Sequence, residues 1–304
     1  MEAKNKSLTK IMKKNKPIII FFVIIILISI YFIYDSFSIH LSQRKEKIEY
    51  GIEYNVDELV SADKEDATLS ISDYGNSFCP KELGEQKLSI VAKTEKKEKE
   101  EEFIFNVEDK TPPIIESNAE ISVEQFSVVE DILELCNVSI SDNCDKKIST
   151  QDIVVHSKID TLTKGSYNLR LTASDASGNK CDKTITVNVV DRKDGGIDAK
   201  EASKHIGENR WVYGVVYSVS YRPDVNGQPT FINISDNYPA TNGMQVVIWG
   251  ENRSSDMAAL CDQMDHTTIL KVKGSIQLYR DIPEIIVYSP SQIEIIGETT
   301  STAY

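Results

Sequence analysis

Gly165-Ser-Tyr-Asn-Leu-Arg-Leu-Thr-Ala-Ser-Asp-Ala-Ser-Gly-Asn179, followed directly by Lys180-Cys-Asp-Lys-Thr-Ile-Thr-Val-Asn-Val-Val190, decides the fold class of this chain. Tyr167, Leu169, Leu171 and Ala173 alternate with polar residues, the period of a strand with one face buried. Ile185, Val187 and Val189 repeat that pattern on the return. Between them, Asp175-Ala-Ser-Gly-Asn179 supplies a turn in which glycine and asparagine tolerate positive φ. The stretch therefore predicts a β-hairpin packed on a core. Outward from it, residues 48 onward are a succession of short β-type runs broken by turn residues, with few helical patterns.

Punctuation divides this β-rich part. Val107-Glu-Asp-Lys-Thr-Pro-Pro113 ends one segment, because paired prolines stop a strand and stiffen the link. Val189-Val-Asp-Arg-Lys-Asp-Gly-Gly196 ends the next, where two glycines release the chain. In the first segment Leu88–Lys93 and Phe103–Glu108 flank the charged run 94–102, whose mixed signs predict a solvated hairpin end rather than a docking patch. Residues 41–47 read as a short charged neck.

The N-terminus differs. Residues 17–34 carry no charged side chain, and Ser29 is the one interruption of an aliphatic and aromatic run after Pro17. As a helix, eighteen residues reach ~27 Å, close to the ~30 Å of a bilayer core. The 1–16 tip holds six lysines and one glutamate, whereas 35–304 holds 28 basic and 46 acidic groups. Lys13, Lys14 and Lys16 predict a cytoplasmic N-terminus and an exported body, with Tyr31 and Tyr34 at the outer interface. A cleaved signal would have a shorter apolar core, of about 7–15 residues, ahead of a small-x-small site, whereas this run is longer and is followed by Asp35-Ser-Phe-Ser-Ile39, so an uncleaved anchor is expected. The expected arrangement is a single-pass type II protein of the plasma membrane with its bulk outside.

Residues 197–304 have another order. A short helix over 198–207 leads into strands at Trp211–Arg222, Pro229–Ile234 and Met244–Trp249. A helical stretch over 251–265 is followed by strands from Thr268 and from Pro283. Strand-strand-strand-helix-strand-strand is the order of a five-stranded OB-fold barrel. The fold class expected for the whole chain is mainly β.

Two resemblances sharpen these expectations. Gly165-Ser-Tyr167, Thr172-Ala-Ser-Asp-Ala-Ser-Gly-Asn179 and Ser141-Asp-Asn-Cys144 resemble the immunoglobulin-like modules of bacterial surface proteins, including the hyalin-repeat type. The segment opening at Ile48-Glu-Tyr-Gly-Ile-Glu-Tyr54 is similar to a divergent copy. The resemblance implies Ig-like β-sandwiches over 48–111 and 112–191 and suggests a Cys144–Cys181 disulfide, with Cys136 a rival partner for Cys144. Cys79 and Cys261 are left as buried thiols. Tyr221–Asn233, Val247–Arg253, Ile276–Arg280 and Pro283–Ile295 resemble the OB-fold nucleic-acid-binding domain of bacterial exported proteins, which implies single-stranded nucleic acid as ligand. The residues that would serve it are Tyr221, Arg222, Phe231, Arg253, Tyr279 and Arg280, arginines meeting phosphate and rings stacking on bases.

Charge opposes that implication. Residues 197–304 hold eight Lys/Arg against thirteen Asp/Glu, and an acidic domain repels a polyanion. Asp281 stands where the related turn carries a glycine-lysine pair. Phe231 and Trp249 also fit inner barrel positions, so both are expected in the core. Asp142, Asn143, Asp145, Asp175, Asn179 and Asp182 have the hard oxygens of a calcium site. Without an ordered ligand spacing, they read as turn formers, and no metal or cofactor is expected.

His40, His156, His205 and His266 are scattered, and no stretch is left for a catalytic domain. The resulting expectation is a non-enzymatic surface binder: a cytoplasmic tip (1–16), a membrane helix (17–34), two Ig-like modules and an OB-fold over 197–304. Envelope protein or glycan is the alternative partner to nucleic acid.

Overall fold

The computed structural model describes residues 20–31, 38–239 and 242–299. The chain divides into two compact units, Met1–Lys110 and Thr111–Tyr304. Residues 20–31 are helical and solvent-exposed. Residues 17–19 and 32–34, the ends of the expected membrane span, lie outside the described residues. Among the described residues no helix is long and apolar enough to cross a membrane. The 38–299 part is mainly β.

The first unit is a β-sandwich. Its main sheet has the order β1-β4-β3-β2, formed by β1 (Lys47–Glu49), β2 (Thr68–Ile71), β3 (Gly84–Lys93) and β4 (Glu98–Glu108). Inward residues Leu88, Ile90, Phe105 and Val107 pack with Leu59, Val60 and Phe78. Fully burying one such aliphatic side chain contributes roughly 1.5–3 kcal/mol. Two expectations change here. Leu41–Gln43 is a strand paired with Val60–Ala62, not a neck. The expected solvated end at 94–102 shrinks to a turn at 94–97, closed by Thr94 N–H to the Lys97 carbonyl (2.8 Å). The remaining acidic residues belong to β4, because charges of opposite sign meet across the hairpin: Lys87 with Glu102 at 2.9 Å and Lys93 with Glu98 at 3.3 Å.

The second unit opens with another sandwich. Its four-stranded sheet joins β5 (Glu120–Glu124), β6 (Val154–Val155), β7 (Gly165–Ser174) and β8 (Lys180–Val190) in the order β5-β8-β7-β6. The expected β7–β8 hairpin forms, and its register sets Leu169 opposite Ile185 and Tyr167 opposite Val187. Leu169, Leu171, Ile185 and Val187 are fully buried.

The same unit continues with Ile197–Asp198, a 3-10 turn over Ala199–His205, and β9 (Asn209–Tyr221), β10 (Thr230–Ile234) and β11 (Met244–Ile248). A helix, Ser255–Asp262, is followed by β12 (Thr268–Ser275), β13 (Gln277–Tyr279), β14 (Ile282–Ile286) and β15 (Ile293–Glu298). The strand order is β13-β14-β11-β10-β9-β12-β15. All these pairings are antiparallel except β11 with β14, which run parallel. Val212, Ile232, Ile234, Val246, Ile248, Leu270 and Ile285 line the interior, and Met257 and Cys261 of the helix close it. Ser254 caps that helix by accepting from Met257 N–H (3.2 Å).

The sandwich and the C-terminal sheet of this unit share a small core of Phe126, Tyr213 and Ile269. Phe126 stacks on Tyr213 with centroids 5.9 Å apart, and the Arg192 guanidinium lies 4.2 Å from the Tyr213 ring. The Tyr213 hydroxyl donates to Asp194. Gln125 Nε2 donates to the Leu162 carbonyl (2.7 Å) and to Asp198 (3.1 Å), and Arg192 donates to the Gln125 carbonyl (2.8 Å). Burial raises the Asp198 carboxyl above the ordinary aspartate range despite bonds from Lys200 N–H and Gln125.

Candidate functional site

The six predicted contact residues do not form one patch. Strand alternation puts Tyr221 on the same side of β9 as Val219, which packs on the interior. Its register partner Thr230 is fully buried. Arg253 stacks 4.1 Å from the Tyr221 ring and donates from Nε to Thr230 Oγ1 (3.0 Å), so these two finish one end of the interior. Phe231 points to the opposite face of the sheet. Arg222 is held beside Asp224 at 3.5 Å. Tyr279 and Arg280 sit on the β13–β14 hairpin with Arg280 against the neighbouring Tyr279 ring (5.3 Å). Arg280 and Asp281 take φ of 50° and 65°, as a tight two-residue turn requires.

Phe231 and Trp249 are not core residues. Ile232 and Ile248 occupy the interior, so their neighbours must face away. Phe231 is half-buried and Trp249 is 36% exposed. The Trp249 ring lies against Gly227 of the β9–β10 turn, where a Cβ would come within 2.8 Å of it.

The face onto which Phe231 projects holds an arrangement that the sequence did not announce. Ser218 of β9, Asn233 of β10, Gln245 of β11, Glu284 of β14 and Gln277 of β13 are consecutive register partners across five strands. Asn233 Nδ2 donates to Ser218 Oγ (2.9 Å), Gln245 Nε2 to Asn233 Oδ1 (2.9 Å) and Gln277 Nε2 to Glu284 Oε1 (2.7 Å). Asn233 and Gln245 are 6% exposed and Glu284 is 7% exposed. Two residues along the strands, Ser220, Phe231, Val247 and Ile286 form a parallel row. On the other side of the polar row, Tyr279 shares this face by alternation with Gln277 and is half exposed. Neither row contains a lysine or arginine.

Elsewhere, two of the acidic turns of the second sandwich meet, with Ala176 N–H donating to Asp145 Oδ2 (3.2 Å). Asp142 Oδ1 accepts from Cys144 N–H (2.8 Å) and Asp145 N–H (2.7 Å). Asp175 accepts from Asn179 N–H (2.8 Å) and from its side-chain amide (2.9 Å). Asp142 and Asp175 bring carboxylate oxygens within 4.8 Å of each other. Asp182 is instead held by Arg170 at 2.7 Å, and Asn143 is exposed. The bond from Cys144 N–H to Asp142 is that of an Asx turn, whereas Asp175 reaches four residues on to close the 175–179 turn.

The suggested Cys144–Cys181 bridge is not formed. Cys181 packs against the sandwich core, and burial raises its thiol pKa, as it does for Cys136 and Cys261. Cys79 is half-buried rather than buried. The histidines stay in separate settings: His40 by Asp63, His156 by Thr172 and His205 by Glu208, with His266 exposed.

No family model matches the chain, and no curated protein matches it. Among solved structures, an aspartyl-tRNA synthetase from Leishmania major aligns at 14% identity over 37% of this chain, with a TM-score of 0.28; the aligned part is 23% of that chain. Human protocadherin-24 EC1-2 aligns at 13% identity over 51% of this chain and 98% of its own, with a TM-score of 0.23. Protocadherin gammaB7 EC3-6 aligns at 11% identity over 82% of this chain and 72% of its own, with a TM-score of 0.24.

Proposed function

We propose that this chain is a non-catalytic binding protein of the cell exterior, in which β-modules carry a C-terminal OB-fold that engages a protein or glycan partner. The observation that carries this reading is the outward face of the C-terminal sheet. It sets amides, one carboxylate and Phe231 in register on a rigid scaffold, with Tyr279 exposed beside them and no nucleophile–base pair in either row. The OB-fold assignment is supported by three antiparallel strands, an intervening helix and the parallel β11–β14 pairing. The surface location is supported by the uncharged run 17–34 behind Lys13, Lys14 and Lys16, which in this reading crosses the membrane with the N-terminus inside.

Single-stranded nucleic acid is the less favoured ligand. Tyr221 and Arg253 are on the side of the sheet opposite to Phe231, Arg222 is next to Asp224, and the central row carries Glu284 where a phosphate would have to pass. A polyanion gains affinity by neutralising phosphates, and neither row of this face carries a lysine or arginine.

The test is display of the full chain in a bacterial host. The reading predicts a membrane-bound product whose body is cleaved by external protease, and cells that attach to surfaces coated with envelope protein or polysaccharide. A product that is soluble inside the cell, or displaying cells that attach to neither coating, would contradict it.

A further inference from the structure

We infer that a cavity inside the second unit, between the second sandwich and the C-terminal sheet, binds one free apolar α-amino acid. Its side chain lies on a hydrocarbon floor, and its ammonium and carboxylate groups meet charges of opposite sign at the rim. This site is separate from the outward face of the sheet, and its ligand is independent of the partner that face engages.

The cavity measures about 250 Å³. Ile132 and Leu169 of the sandwich and Ile269 of β12 form its floor, and all three are buried. Its walls are tied in place. Phe126 N–H donates to the Thr161 carbonyl (2.8 Å) and Gln125 Nε2 to the Leu162 carbonyl (2.7 Å), which holds the loop 156–164 against the segment that follows β5. At the cavity's edge the sandwich already touches the sheet, because a Cβ on Gly297 would come within 2.7 Å of Val128. Protein interiors are close-packed and hold few voids larger than a water molecule. A space of this size, framed by a joint that packs tightly around it, is shaped for a guest.

Size and charge name the guest. An apolar cavity of ~150 Å³ takes a benzene ring. This one therefore holds a ring or a branched alkyl group together with a small polar head, and no oligosaccharide or nucleotide. The rim carries Lys158 and Asp160 of the β6–β7 loop and Glu298 at the end of β15. Asp160 uses one oxygen to accept from Leu162 N–H (2.9 Å). No ion pair joins Lys158, Asp160 or Glu298 to another described residue. A fatty acid would set its carboxylate beside two others, and an alkylamine would leave Lys158 unanswered. A zwitterion answers both signs, and the Ser127 and Thr299 hydroxyls in the cavity wall can donate to it or accept from it. A few polar groups around an apolar floor are the usual build of a small-molecule site.

The experiment uses the full chain in lipid nanodiscs, titrated calorimetrically with phenylalanine, leucine, glycine, phenethylamine and phenylpropionate, with thermal unfolding followed in parallel. Phenylalanine or leucine is expected to bind saturably and to raise the melting temperature by several degrees at saturation. Glycine, which lacks the side chain, and the two singly charged analogues should each bind at least about tenfold more weakly. Lys158→Ala should weaken phenylalanine about tenfold and leave phenethylamine unchanged. Lys158 is exposed, so the unliganded variant should melt as the parent does. Thr299→Trp, which fills the cavity from its wall, should abolish binding. No binding of either apolar amino acid at millimolar concentration, glycine binding as well as they do, or an analogue binding better than phenylalanine would each overturn the assignment. An affinity for phenylalanine that is the same in Lys158→Ala and Thr299→Trp as in the parent would put the binding elsewhere and overturn the site.

Discussion

The β3–β4 hairpin of the first sandwich and the β10–β11 pair of the C-terminal sheet both turn one face to a core and one face away. The chemistry of those outward faces is opposite. On the hairpin, Lys87, Lys93, Glu98, Glu100 and Glu102 form exposed ion pairs and hydrogen bonds that water can replace. On the pair, Asn233 and Gln245 are shielded and bonded to each other, and their row continues to the Glu284 carboxylate. An exposed charged face keeps a strand soluble and specifies little. A sheltered polar row costs free energy if any member is lost, and geometry is fixed in return. That contrast is why the binding site is assigned to the second face.

The largest effect expected is at the joint of the second unit. Phe126→Ala removes the ring stacked on Tyr213 and should destabilise residues 111–299 by about 3–5 kcal/mol, read from urea unfolding, with the first unit unaffected. A smaller loss there would mean that the sandwich and the C-terminal sheet are only loosely joined.

Gln245→Ala leaves the Asn233 carbonyl without its donor and should cost about 1–3 kcal/mol. Lys87→Ala, on the exposed face, should leave the unfolding midpoint unmoved. Equal effects at the two sites would erase the distinction drawn between the faces.

The acid–base behaviour should differ in sign between two aspartates. Asp198 has a raised carboxyl pKa through burial, so the folded state holds its proton more tightly than the unfolded chain. Its contribution to stability is present below the ordinary aspartate value and is lost as pH rises through the raised one. Asp63 is lowered, first by the hydrogen bond from the His40 backbone N–H, with burial opposing it. Its contribution is present above the ordinary value and is lost as pH falls through the lowered one. Asp198→Asn should remove the first dependence and Asp63→Asn the second, in stability measured from pH 3 upward in steps of about one unit.

The fold was largely legible because it rests on local alternation. Tyr167 to Ala173, Ile185 to Val189 and the β9–β12 series could be read without knowing which strands meet. The same parity could have corrected Phe231, since Ile232 and Ile234 already claim the interior. The polar row was not legible. Its members are at 218, 233, 245, 277 and 284, and only the strand order and register bring them into line. In sequence, Asn233 and Gln245 look like ordinary solvent-facing residues. The available hint was their place in the middle of strands otherwise built from Ile, Val and Phe, on the parity of Phe231 and Val247. The charged run 94–102 misled in the opposite direction, because charge density suggested a loop where cross-strand pairing makes a strand.

The central claim is that this chain is a non-catalytic binding protein of the cell exterior. Its most direct test is display of the full chain in a bacterial host, read by external protease and by attachment to envelope protein or polysaccharide. The account predicts a membrane-bound product, a body cleaved from outside and attachment to one of the two coatings. A product that is soluble inside the cell, or attachment to neither coating, would contradict it.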